Sequence, residues 1–250
     1  MEIFNITLPS NWAELSDKQL HMVYSLFARD LSAAEVKTLC LMKWNGLKVL
    51  SQLPDKRFLI RRGKEEVILS TRQIQQATSD LDFLDSFAPM PVRITQIGKY
   101  HALPADFEKV PFEQFLFVEN LFQGYLNTQS DELLLQMAQV LYASDHVKPS
   151  KAHLVGIFYW MASLKQYFAG LFSNFYKPAG ANSDGNLLGG GQSDLYSQLR
   201  DSTNAMIRAL TSGDITKEAA IMKMDTWRAL TELDAKAREA EELRKATKKP

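Results

Sequence analysis

The chain has 250 residues, enough for one large domain or for a medium one with an appendage. Its 29 basic and 29 acidic side chains cancel, which excludes an overall positive field that would gather nucleic acid or acidic lipid. An apolar share of 46% permits a buried core, and the single cysteine, Cys40, excludes an internal disulfide or a thiolate metal cluster and fits a reducing compartment.

In chain order, Glu2 to Leu8 alternates enough to predict a short strand that Pro9 ends. The N-terminal Met-Glu-Ile-Phe-Asn has neither the basic start nor the apolar run of a signal peptide. Ser16-Asp-Lys-Gln19 has the spacing of a capping box, in which the serine oxygen takes an orphan amide and Gln19 reaches back. Leu20, Val23, Tyr24 and Phe27 give the following helix its apolar face. Ser32-Ala-Ala-Glu35 repeats the signal, and Val36, Leu39, Cys40 and Trp44 continue as a stripe until Asn45-Gly46. Arg57 to Ser70 reads as a hairpin turning at Gly63. Ser70-Thr-Arg-Gln73 caps a helix expected to run to about Phe87, where Pro89 and Pro91 break it. Val92 to Leu103 reads as extended or irregular.

From Pro111 onward the pattern is helical. Phe115, Val118, Phe122 and Tyr125 share one face, and Leu133, Met137, Val140 and Leu141 share another. A third helix over 154–175 is apolar on several sides, with Tyr159, Trp160 and Tyr167 off its main stripe, as expected of a central or partner-facing helix. Lys165 and Gln166 near its middle argue against a membrane span. Ala179 to Gln192 is rich in glycine, asparagine and serine and reads as a linker. Beyond it, helices over 193–211 and 215–246 form an arm. Met224, Trp227, Leu230 and Leu233 make a seam that thins to Ala237, Ala240 and Leu243. Glu232–Lys236, Asp234–Arg238 and Glu241–Lys245 are acid-before-base pairs at i,i+4.

Chemistry-bearing motifs are missing from this pattern. Gly185 and Gly189 to Gly191 are not followed by the Lys-Ser/Thr of a phosphate loop. His146 and His153 lie seven apart across Pro149 and lack the spacing of a metal pair, and His21 and His101 have no partner motif. Asp80, Asp82 and Asp85 start like a calcium loop, but Asp85 and Pro91 stand where its glycine and glutamate belong. Lys56, Arg57, Arg61, Arg62 and Lys64 could contact phosphate on the hairpin, but Glu65 and Glu66 offset them. The expectation is a chain that is not an enzyme and takes no cofactor or metal.

Two stretches carry a resemblance. Val110-Pro-Phe-Glu-Gln-Phe-Leu-Phe-Val-Glu-Asn-Leu-Phe-Gln-Gly-Tyr-Leu126, continuing to Tyr142, and Met224-Asp-Thr-Trp-Arg-Ala-Leu-Thr-Glu-Leu to Glu242 together resemble uncharacterised proteins of tailed phages and prophages. Those proteins are encoded in the tail-gene region before the tape-measure gene. The resemblance spans residues 107–242 and implies tail-assembly chaperoning of a helical client in the host cytoplasm. The alternative it implies is a permanent neck or tail component of the virion; a nucleic-acid-binding regulator is a further alternative, read from the basic hairpin. The expected architecture is mainly α (α+β). A globular body over 1–178 has a small antiparallel sheet within about 1–106 and a helical part over about 107–178. A linker over 179–192 and a helical arm over 193–250 follow. Trp227, Leu230, Leu233 and Met224 on the arm, with Trp160 and Tyr167, are the expected contacts to phage structural proteins or to a second copy.

Overall fold

The computed structural model describes residues 6–177 and 192–247. The fold is mainly α with some β, and the chain divides into two compact units, Met1–Ile97 with Lys148–Ser163, and Gly98–Val147 with Leu164–Pro250. This differs from the expected body and arm. The helices assigned to the arm belong to the same unit as residues 98–147, and the body is split after Ile97 rather than near 106. The linker lies outside the described residues, apart from Gln192.

The first unit starts without regular structure from Ile6 to Pro9, and the rest of the expected first strand is outside the described residues. Helices α1 (Asp17–Phe27) and α2 (Ala33–Trp44) open on the capping boxes at Ser16 and Ser32, in which both reciprocal bonds are present. Gly46, at φ 64°, lets the chain reverse. Strand β1 (Leu47–Leu53), not foreseen in the sequence, then pairs antiparallel with β2 (Arg57–Arg62), which pairs with β3 (Glu65–Ser70) through the turn at Gly63. The β1–β2 register slips between Val49 and Ser51, leaving Leu50 as a bulge. Ser70 caps α3 (Thr71–Thr78), which is shorter than expected and tightens into a 3-10 stretch over Ser79–Asp85.

Trp12 locks this unit. It is buried, and its indole N–H donates to the carbonyls of Phe83 (2.9 Å) and Ser86 (3.1 Å). Val23, Tyr24, Val36, Cys40, Leu41 and Ile60 belong to the same core. The start of α6 (Lys151–Leu171) closes this core, and Gly156 is needed there because a Cβ would stand 2.8 Å from the Tyr24 ring.

Strand β4 (Gln96–Ile97) ends the first unit, and the second begins at Gly98, whose φ is 60°, followed by the short strand β5 (Tyr100–His101). Helices α4 (Phe112–Thr128) and α5 (Asp131–Leu141) follow as an antiparallel pair. The remaining helices are α7 (Gln192–Thr211), α8 (Glu218–Met222) and α9 (Thr226–Thr247). The expected long helix over 215–246 is interrupted between Met222 and Thr226. Phe107, Phe112, Phe115, Phe168 and Leu230 are buried in this unit, and the Phe115 ring meets Phe107 and Phe168 edge-on.

Candidate interaction surfaces

The expected contact seam begins where that helix is interrupted. Residues 224–226 pair in antiparallel fashion with residues 110–112, through a bridge between Pro111 and Asp225. The amide of Phe112 donates to the Met224 carbonyl (2.8 Å) and the amide of Thr226 to the Val110 carbonyl (2.9 Å). The Thr226 hydroxyl donates to the same Val110 oxygen at 2.7 Å. Asp225 spreads its carboxylate over two backbone amides, those of Lys109 (2.6 Å) and Arg228 (3.1 Å). It thus serves the loop and the first turn of α9 together.

This strap delivers Trp227 into its own unit. The indole N–H donates to the Asp106 carbonyl at 2.8 Å. The ring stands edge-on to Tyr167, Phe168 and Phe172, with centroids about 6 Å away. One and two turns further on, Leu230 and Leu233 are 0% and 4% exposed. At the far end, Asp234 accepts from the amides of Asn174 (2.7 Å) and Phe175 (3.0 Å) and from the Asn174 side chain. Burial alone would raise its carboxyl, but these bonds and Arg238 outweigh it and hold the group below the usual range.

The expected contact residues are therefore not free partner anchors. Leu230 and Leu233 are core. Met224 and Trp227 are half-buried and held by the strap, and the half-buried Tyr167 lies against Trp227. Trp160 belongs to the first unit, is 1% exposed, and has the Arg93 guanidinium 5.8 Å over its ring. The physical reason is local. A helix carrying several large apolar groups gains about 1.5–3 kcal/mol for each one it buries. Asp225, Thr226 and Asp234 supply the polar bonds that let it bury them within its own unit.

The apolar surface left open lies elsewhere. In the first unit α2 has two apolar faces. Val36, Cys40 and Leu41 face the core, while Ala34, Leu39 and Met42, with Leu31 just before the helix, line one wall of an open groove of about 470 Å³; Leu31 and Met42 also pack partly against the core. Ile74 of α3 lines it as well, together with Val49 and Phe58 of the sheet. Leu39 is 37% exposed and Val49 54%. Glu35 lies on the groove and is held ionised by the hydroxyl and amide of Ser32, which depress its carboxyl. The stripe drawn from the sequence grouped Leu39 with Val36, Cys40 and Trp44, whereas Leu39 lines the groove and is exposed. The i, i+3, i+4 spacing of Leu31, Ala34, Thr38, Leu39 and Met42 was the available signal.

Several charged groups form structural pairs. Lys37 bridges Asp82 and Asp85 at 2.6 Å each, so two carboxylates of the acidic run tie α2 to the 3-10 stretch. Lys165 pairs with Glu119, which also takes a bond from Gln123. No described helix is long and apolar enough to cross a membrane. On the hairpin, Arg61 stands between Lys48 and Glu66 in the cross-strand register, and Arg62 stands opposite Glu65. Among the described residues no three His, Cys, Asp or Glu side chains are placed to hold a metal. Cys40 is buried, which pushes its thiol up to about 12 and leaves it unreactive at neutral pH. His153 accepts from the Ser150 amide at 3.0 Å through Nδ1 and lies beside His21, with ring centroids 4.8 Å apart. Set against protein-family models, curated proteins and solved structures, the chain matches none of them.

Proposed function

We propose that the chain is a non-catalytic, protein-binding component of phage tail assembly, acting as a chaperone for a helical client in the host cytoplasm. The observation that carries this reading is the open groove beside the second apolar stripe of α2. A groove with apolar side chains at helical spacing along one wall suits the i, i+3/i+4, i+7 anchors of an amphipathic helix. The resemblance supports the setting, since its two stretches, 110–126 and 224–242, are those that the strap joins into one unit.

The test is a phage or prophage carrying Leu39→Asp in this gene. The purified variant should melt like the parent, and the lysate should contain heads without complete tails. Full-length, infectious tails in that background would remove the groove from the function. Mass spectrometry of purified particles should find the chain absent, whereas a stoichiometric amount would favour a permanent virion component.

A further inference from the structure

We infer that the groove of the first unit receives α2 of a second copy of this chain, packed antiparallel about a two-fold axis close to Leu39. The inference rests on the groove being an interaction surface, as proposed above, and adds which molecule fills it when no client is bound.

The charge pattern of α2 is self-complementary. Glu35 and Lys43 each lie four residues from Leu39, on opposite sides of it. At 1.5 Å per residue they are about 12 Å apart along the axis. Antiparallel packing centred on Leu39 sets Glu35 of each copy beside Lys43 of the other, making two reciprocal ion pairs. Parallel packing would set Glu35 against Glu35. A patch that matches itself in this way is what a two-fold interface requires.

Two further observations favour helix packing within the groove. The bulge at Leu50 interrupts the regular ladder of β1, an outer strand of its sheet, and so disfavours strand addition. A formal net charge of zero leaves little long-range repulsion between copies.

Sedimentation equilibrium of the full chain from about 1 to 100 µM should show a reversible dimer. Lys43→Glu should weaken it about tenfold or more, because each Glu35 then faces a second carboxylate where it had an ammonium. Adding Glu35→Lys to that variant should restore the dimer by reversing both partners. A melt of each variant separates lost association from lost folding, since Glu35→Lys also removes a bond to Ser32. A parent chain that stays monomeric to 100 µM, or a dimer indifferent to both changes, overturns the inference. A monomer whose tail assembly still depends on Leu39 overturns the dimer and leaves the proposed function standing. A dimer that Lys43→Glu breaks, in a chain whose tail assembly ignores Leu39→Asp, upholds the dimer and overturns that function.

Discussion

Helices α2 and α9 each carry an apolar stripe legible in the sequence, yet one stripe is consumed inside its own unit and the other is left open. On α9, Trp227, Leu230 and Leu233 are flanked by Asp225, Thr226 and Asp234, whose side chains bond backbone groups at residues 109–110 and 174–175. On α2, the stripe through Leu39 and Met42 has no comparable polar clasp. Its helix is already secured through the opposite face and through Lys37. Apolar spacing reports that a face seeks burial. The polar residues beside it report whether the same chain satisfies that need.

Trp227→Ala puts this contrast at greatest risk. It removes a ring packed on three aromatic neighbours and a bond to the Asp106 carbonyl, and should lower the stability of the second unit by about 3 kcal/mol. Chemical denaturation would measure it, and a loss below about 1 kcal/mol would return Trp227 to the status of a partner anchor. Gly156→Ala examines the closed face of the first unit. Its new methyl would meet the Tyr24 ring at 2.8 Å and should cost about 1–3 kcal/mol in overpacking. An unchanged melt would mean that this core yields easily.

Leu39→Asp should shift the unfolding free energy of the isolated chain by no more than about 0.5 kcal/mol, in contrast with both. A larger loss would show that Leu39 is core after all. The smallest effect concerns pH. Burial, and then the neighbouring His21, hold the His153 imidazole below its ordinary 6.5, and its neutral Nδ1 accepts the Ser150 amide. The folded state therefore favours the unprotonated ring. The stability this contributes is full above about pH 6.5 and is lost as pH falls through the lower folded value. His153→Gln keeps an acceptor three residues after Ser150 and should flatten the part of the pH–stability curve just below about pH 6.5. The same slope in parent and variant would assign it to another group.

Local chemistry made much of the fold legible. The three Ser-x-x-Gln/Glu boxes start helices where they stand, because the serine and its partner satisfy amides within one turn. Gly63 turns the hairpin, and the apolar periods of α4, α5 and α6 are long enough to specify helices. Less was legible where the deciding partner is far along the chain. Strand β1 is exposed along most of its length and so lacks an alternating apolar pattern; it forms by pairing with β2. Met224 and Asp225 read as helix interior, yet residues 109–112, more than a hundred positions earlier, claim their backbone and carboxylate. Of the candidate surfaces, the apolar seam of α9 was visible in the sequence, but its burial within its own unit was not, because the bonds of Asp225, Thr226 and Asp234 reach residues distant along the chain.

Short-range order was thus written in the chain: which segments are helical, where they start, and that a mainly helical protein with a small sheet results. These follow from hydrogen bonds and side-chain periods spanning a few residues. The roles of the two stripes, Trp227 as an internal anchor and α2 with an open second face, emerge from three-dimensional packing alone. Burial is a competition among all surfaces of the chain, and its outcome depends on which backbone groups, distant in sequence, come within about 3 Å of each other.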